Sequence, residues 1–194
     1  MPRQSAGLFT SMEIDMIQFL TGLLARIGAL FRARPKSSAT GGLTAILAAA
    51  AIFVAPWEGE RTEAYLDRIA SPPVWTVCYG ETKGVQAGDK YTPQQCLDML
   101  SASLAGYHAQ LAKCIPALPQ QPQGVQVALT SWTYNVGASA ACSSTLAKRA
   151  NAGDWLAACN ELPKWNKAGG KVVRGLTNRR ADEQRLCLAS LKGA

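Results

Sequence analysis

The side chains best suited to chemistry lie between residues 58 and 81. They are five carboxylates and one hydroxyl set among β-prone residues: Glu58, Glu60, Glu63, Asp67, Glu81 and Thr76. Two carboxylates that converge at a loop-flanked site suit glycosidic cleavage, because one donates a proton to the leaving oxygen while the other stays ionised and activates water. Taken alone, the grouping fits solvated charges at a helix start better than it fits a catalytic pair.

Histidine and metal chemistry are poorly supported. His108 is the one histidine of the chain, and neither a CxxC motif nor a Cys/His cluster is present. We therefore expect no metal and no cofactor, and we interpret His108 as a residue on the surface of a helix. Ser-His-Asp and Cys-His catalysis are excluded unless His108 serves in them.

The catalytic candidates can meet only if the chain turns. Residues nine apart on a straight helix differ by about 900° in rotation, so Glu58 and Asp67 would lie on opposite faces. Pro72-Pro73 forbids helix, and residues 74–80 are β-prone. The sequence predicts a short helix carrying Glu58, Glu60 and Glu63, followed by a hairpin.

A long helix is predicted next. Thr92, Pro93 and Gln95 fit a capping box, and apolar residues recur at helical spacing from Leu97 as far as Ile115. A helix of about 23 residues indicates a connector between two lobes. Shorter helices are predicted over residues 125–136, 143–151, 154–162 and about 178–191.

The N-terminal part has two segments. Residues 14–31 carry apolar residues at helical spacing, which predicts an amphipathic helix on a membrane or a partner, or an extension with little role. Residues 37–57 are uncharged and follow a basic stretch. As a helix they would be about 31 Å long, enough to span a bilayer with the N-terminus inside, although their alanines make the anchor weak. A cleaved signal peptide, a permanent anchor and a releasable anchor all remain open.

Composition sets broader limits. Hydrophobic residues make up 48% and charged residues 17% of the 194 residues, which argues against disorder. The net charge of +7 is uneven, because residues 113–194 hold eleven Lys or Arg against four Asp or Glu. Such a surface suits nucleic acid, anionic lipid or a wall polymer, or is simply solvated. The six cysteines all follow residue 57, which indicates disulfides in an oxidising compartment.

The ordered motifs carry a resemblance. They comprise Glu58-Gly59, Arg61, Ala64-Tyr65, Asp67, Thr76-Val77-Cys78-Tyr79-Gly80 and Thr82, then Tyr134-Asn135-Val136-Gly137, Gly169-Gly170-Lys171, Arg179-Arg180, Glu183 and Cys187. Residues 57–190 thereby resemble the phage-type lysozymes, glycoside hydrolase family 24, in their lambdoid signal-anchor-release endolysin branch. The resemblance implies an α+β, lysozyme-like, mainly helical fold. A small β-hairpin lobe would be joined by a long helix to a helical lobe.

The same resemblance implies roles. Glu58 would be the general acid, Asp67 would position and activate water, and Thr76 would help hold that water. Tyr134 and Asn135 would line the cleft. Glu60 and Glu63 would be surface charges on the first helix. Arg179 and Arg180 would contact the helix that bears Glu58 or, as the less favoured alternative, face solvent. Glu81 stands where many relatives have histidine. The implied disulfides are Cys78–Cys96, Cys114–Cys142 and Cys159–Cys187.

The implied reaction is hydrolysis of the β-1,4 bond between N-acetylmuramic acid and N-acetylglucosamine in peptidoglycan. We expect an extension over 1–36, a signal-anchor over 37–57 and a catalytic domain over 58–194. We further expect a monomer without nucleic acid as a partner, held at the inner membrane with its N-terminus inside and then released to the periplasm. The alternatives are a lytic transglycosylase and an inactive, membrane-tethered wall-binding protein.

Overall fold

The computed structural model describes residues 39–68 and 72–193, with side chains from residue 42 onward. The chain divides into two compact units, residues 1–42 and 43–194. Most of the first unit, including the amphipathic helix predicted over 14–31, lies outside the described residues. Of the helices within the described ranges, none is both long and apolar enough to cross a membrane.

The first described element is helix α1, Ala39–Glu58. It ends because Pro56 removes a backbone donor in its last turn and Gly59 has a φ of 71°, which favours glycine. An antiparallel hairpin follows, formed by β1 (Arg61–Asp67) and β2 (Val74–Cys78). The prediction of a short helix that carries Glu63 is therefore wrong, because pairing with the distant β2 overrides the local preference of the charged segment.

The predicted connector is confirmed as α2, Pro93–Cys114. Thr92 accepts a hydrogen bond from the Gln95 backbone amide, and the Gln95 side chain accepts one from the Thr92 amide. This capping box satisfies donors that the first turn leaves open. His108 lies on α2 but is only 5% exposed and bonds to Gln126 at 3.0 Å, so the prediction of a surface histidine is wrong.

The helical lobe follows the connector. Its helices are α3 (Gln123–Val136), α4 (Ala138–Ser143), α5 (Thr145–Asn151), α6 (Trp155–Glu161) and α7 (Arg174–Lys192). Two 3₁₀ turns, Leu118–Gln120 and Leu162–Lys164, and a small hairpin of β3 (Lys167–Ala168) and β4 (Lys171–Val172) complete it. The last helix begins about four residues earlier than predicted.

Two apolar cores lie along the connector. The first packs α1 and β2 against the N-terminal half of α2, with Val54, Val77 and Leu104 fully buried. The second gathers around Trp132 of α3 and includes Leu111 near the end of α2. Because α2 contributes to both cores, it fixes the hairpin lobe relative to the helical lobe.

Helix α3 is the centre of the helical lobe. Every residue from Gly124 to Thr133 is buried. A Cβ at Gly124 would collide with the Ser190 hydroxyl and press on Leu186, both on α7, so glycine permits the close approach of the two helices. A helix buried on all sides is typical of the middle of a bundle.

Three disulfides join neighbouring elements. Cys78–Cys96 links β2 to α2, Cys114–Cys142 links α2 to α4, and Cys159–Cys187 links α6 to α7. Their Cα–Cα distances are 5.0, 5.7 and 5.8 Å, ordinary for disulfides. These are the pairs that the resemblance implies.

Candidate active site

The end of α1 carries the first candidate, Glu58. The carboxylate Oε1 of Glu58 lies 2.6 Å from Nη1 of Arg179, and the two side chains are 23% and 4% exposed. Arg179 belongs to α7, 121 residues further along the chain. The prediction that Arg179 contacts the helix bearing Glu58 is therefore confirmed, and Glu58 stays partly open to solvent.

Arg179 is itself held by buried groups. Its Nη2 donates to the Ser131 carbonyl at 3.3 Å and its Nε donates to Glu183 Oε1 at 3.3 Å. The Ser131 hydroxyl donates to the same Glu183 oxygen at 2.7 Å. Each of these partners fixes a different part of the guanidinium. Glu183 and the Ser131 carbonyl therefore orient Arg179 without any contribution from Glu58.

Arg180 supplies a second positive charge beside Glu183. Its Nη2 donates to Glu183 Oε1 at 3.0 Å, and its Nε lies 2.8 Å from Oε2 at an angle unsuited to a hydrogen bond. Burial lowers the pKa of Arg180 to about 10 and raises the pKa of Glu183, and attraction between the two opposes both shifts. We call Ser131, Arg179, Arg180 and Glu183 the buried charge cluster. Arg180 faces Glu183 and does not reach solvent.

Tyr134, in the last turn of α3, lies among these charges. Its hydroxyl donates to the Tyr79 carbonyl at 3.1 Å, and its ring meets Tyr107 edge-on at 5.2 Å. Burial, with the nearby Glu58 carboxylate next in size, raises the pKa of Tyr134 to about 12. Tyr134, which the resemblance places in the substrate cleft, therefore also links α3 to the hairpin lobe and lies close to Glu58.

Asp67 and Thr76 lie on the same face of the β1–β2 hairpin. Tyr65 pairs with Thr76 and Asp67 pairs with Val74, so Asp67 and Thr76 are diagonal neighbours. Such neighbours are about 7 Å apart between Cβ atoms, close enough for one water to contact both side chains. Because β1 begins three residues after Glu58, the hairpin and the end of α1 are also close in the chain.

The hydroxyl of Thr76 is already oriented. Thr76 is 4% exposed, and its Oγ1 donates to the Val74 carbonyl at 3.3 Å. With its proton engaged there, the oxygen still offers lone pairs to a water proton. Its neighbour Val77 is fully buried in the core that includes Val54 of α1, so the strand and the helix are packed together.

The other acids have structural or surface positions. Glu81 Oε1 accepts the backbone amides of Thr82 and Lys83 at 3.0 and 2.9 Å, and its Oε2 accepts the Ser103 hydroxyl at 3.1 Å. Glu63 is exposed and pairs with Lys90 at 2.7 Å, which lowers the pKa of Glu63. Glu81 thus closes a turn, and Glu63 is a surface charge as expected, although on a strand.

Asn135 is exposed in the last turn of α3, next to Tyr134. Among the described residues, no three His, Cys, Asp or Glu side chains are grouped so as to hold a metal ion.

Two residues of the site, Ser131 and Glu183, had no role assigned to them from the sequence. The spacing of Arg179, Arg180 and Glu183 at three and four residues on one helix was the available signal.

Comparison with known proteins gives a consistent family. The sequence model described as phage lysozyme matches residues 55–183. The chain is 41% identical over 150 residues to the SAR-endolysin of Pseudomonas phage phiKMV, covering 74% of this chain and 89% of that one. It is 40% identical over 116 residues to the SAR-endolysin of Enterobacteria phage P21, covering 59% and 69%. The muramidase domain of SpmX from Asticaccaulis excentricus superposes with a TM-score of 0.62 at 25% identity, covering 72% and 95%.

Proposed function

Because this chain belongs to the phage lysozyme family, whose members are glycoside hydrolases, we propose that it is a muramidase endolysin with Glu58 as its general acid. Its substrate would be the β-1,4 bond between N-acetylmuramic acid and N-acetylglucosamine in peptidoglycan. The observation that carries the proposal is the Glu58–Arg179 ion pair, at the point where α1 ends and the hairpin bearing Asp67 and Thr76 begins.

The reaction follows from the two carboxylates. Arg179 contacts Oε1 of Glu58, so we expect Oε2 to carry the proton that is given to the glycosidic oxygen as the C–O bond breaks. Asp67 accepts a proton from a water held against Thr76, and the resulting hydroxide adds to the sugar carbon. Tyr134 and Asn135 would support the glycan strand beside the acid.

Replacing the acid tests this role. Glu58→Gln keeps the size of the side chain but removes its proton, so lysis of permeabilised cells should fall by about 10²–10⁴-fold. The matched control is Glu63→Gln, an exposed acid five residues away, which should retain wild-type activity. A Glu58→Gln protein that still clears cell walls at near the wild-type rate would refute the assignment.

The products distinguish hydrolysis from the alternatives. A muramidase leaves reducing ends, whereas a lytic transglycosylase leaves a 1,6-anhydro end, and mass spectrometry of digested peptidoglycan separates them. A wall-binding protein without activity would produce neither fragment and no loss of turbidity. Reducing ends are the expected result.

We further propose that residues 37–57 hold the enzyme inactive at the inner membrane, N-terminus inside, until they release it into the periplasm. Two relatives are named SAR-endolysins. In the folded chain, Ala50, Ala51 and Val54 of the same segment are 0–3% exposed in the first core. While they lie in a bilayer that core is incomplete, and Glu58 stays at the interface away from Arg179.

The N-terminus of the active enzyme tests the release. Membrane fractionation with N-terminal sequencing, before and after collapse of the membrane potential, should recover the same N-terminus in the membrane and in the soluble fraction. A mature N-terminus at residue 49 or later would show cleavage instead and contradict release.

A further inference from the structure

The buried charge cluster has an unbalanced charge without Glu58. Arg179, Arg180 and Glu183 carry two positive charges and one negative charge, and their side chains are 4%, 0% and 0% exposed. Adding ionised Glu58 brings the sum to zero, so the balance describes the resting enzyme, before Glu58 takes up the proton that it donates to the glycosidic oxygen. A net charge left in a buried site is costly, so the cluster favours the arrival of a carboxylate at Arg179.

The position of Glu58 is unfavourable for its own helix. It is the last residue of α1, where the helix dipole repels a negative charge. An acid placed there gains nothing from α1 alone. Its compensation comes from Arg179, which α7 holds in place through Glu183 and through the Ser131 carbonyl of α3.

From these contacts we propose that Glu58 is the counter-charge that completes the buried charge cluster. Arg179 is then a positioning residue that couples the docking of α1 to the placement of the acid. The inference rests on the proposed function in taking Glu58 as the catalytic acid. It adds that the catalytic carboxylate also stabilises the docked helix, so that the activation step and the assembly of the active site depend on one ion pair.

Charge balance makes a specific prediction for a mutant cycle. Glu58→Gln leaves the cluster at +1 and Arg179→Gln leaves it at −1, while the double variant returns it to zero. Each single variant should therefore loosen α1, and the double variant should hold α1 more tightly than either. Loss of packing alone would instead make the two effects add.

Hydrogen exchange of the purified full chain measures this directly. We expect the amides of residues 43–58 to exchange at least about tenfold faster in each single variant. In the double variant they should return to within about threefold of wild type. Amides of α2 report global folding and should change little in all three proteins. Glu63→Gln is the matched control, because Glu63 is an exposed acid that pairs with Lys90, outside the cluster.

Two outcomes would overturn the inference. One is unchanged or slower exchange in Glu58→Gln, which is what relief of the helix dipole alone would produce. The other is additive acceleration in the double variant. The proposed function fails separately: a Glu58→Gln protein that stays lytic while α1 exchanges faster would refute the acid role and leave the counter-charge intact.

Discussion

Helices α1 and α3 are both rich in apolar residues, yet they are buried in different ways. In α1 the fully buried side chains are small, and Leu43 and Ile52 on the same helix are 41% and 42% exposed. In α3 every residue from 124 to 133 is buried, around the indole of Trp132. Apolar content alone therefore does not determine how tightly a helix is held.

Neither helix carries a cysteine, but the helices that pack around α3 are cross-linked by disulfides and those disulfides do not reach α1. All three disulfides join residues after position 77, so none of them fixes α1. Its described contacts include small buried side chains, the partly buried Ile46, Leu47 and Phe53, a hydrogen bond from Gln123 to the Ala45 carbonyl at 3.4 Å and the Glu58–Arg179 ion pair. No covalent link therefore opposes the release of α1 that we propose, and the rest of the domain would stay cross-linked.

Substitutions in the two helices should differ in cost. Trp132 is fully buried and meets Trp165 edge-on at 5.2 Å, so Trp132→Ala should lower the free energy of unfolding by about 3–5 kcal/mol. Val54→Ala, at an equally buried position of α1, removes two methyl groups and should cost about 1.6 kcal/mol. Guanidinium unfolding measures both. Equal losses would contradict the comparison.

Enlarging a buried alanine of α1 should shift the enzyme towards the membrane. Ala51 is 3% exposed, so Ala51→Leu should destabilise the docked helix by about 1–3 kcal/mol while making the segment more apolar. We expect a larger membrane-bound fraction and slower lysis.

Ala48→Leu is the matched control for this change, because residue 48 is exposed in the folded chain. It adds the same apolar surface to the segment without overfilling the core. Both variants should bind the membrane more strongly than wild type, but Ala51→Leu should do so to a greater extent. Equal fractions would mean that packing in the first core does not oppose the anchor.

Local signals predicted the parts of the fold that depend on neighbouring residues. The capping box of Thr92 and Gln95 placed the start of α2 to the residue, since both halves of the motif lie within one turn. Distant pairing was not visible in the same way. The charged segment of β1 was predicted to be helical because the residues within it do not show that it pairs with β2, which follows several residues later in the chain.

The same distinction between local signals and distant contacts applies to the candidate site. Residue types placed Glu58, Asp67 and Thr76 among the candidates, and the family motifs gave each of them the role proposed above. The burial of His108 depends on Gln126, which reaches it from another helix. Glu183 is fully buried although it lies on a highly charged stretch of α7, because arginines and the Ser131 hydroxyl surround it. Sequence spacing showed that these residues could pair but not that they would be buried.

The smallest expected effect concerns Tyr134, which joins the two lobes. Tyr134→Phe removes the hydrogen bond to the Tyr79 carbonyl and should cost about 1 kcal/mol near neutral pH. The pKa of Tyr134 is raised from 10.0 to about 12 in the folded chain, so this phenol stabilises the fold fully below pH 10. That stabilisation is lost as the pH rises towards 12, because the unfolded chain releases the proton first.

The difference between the wild-type and Tyr134→Phe unfolding free energies, measured from pH 8 to 12, isolates this residue from Arg180. Burial lowers the pKa of Arg180, so the guanidinium contributes the opposite slope over the same range. The wild-type advantage should be constant up to about pH 10, then shrink and reverse sign towards pH 12, because a two-unit rise in pKa outweighs one hydrogen bond. A constant difference up to pH 12 would mean that the phenol ionises as easily in the folded chain as in the unfolded one, and that Tyr134 is not sheltered beside Glu58.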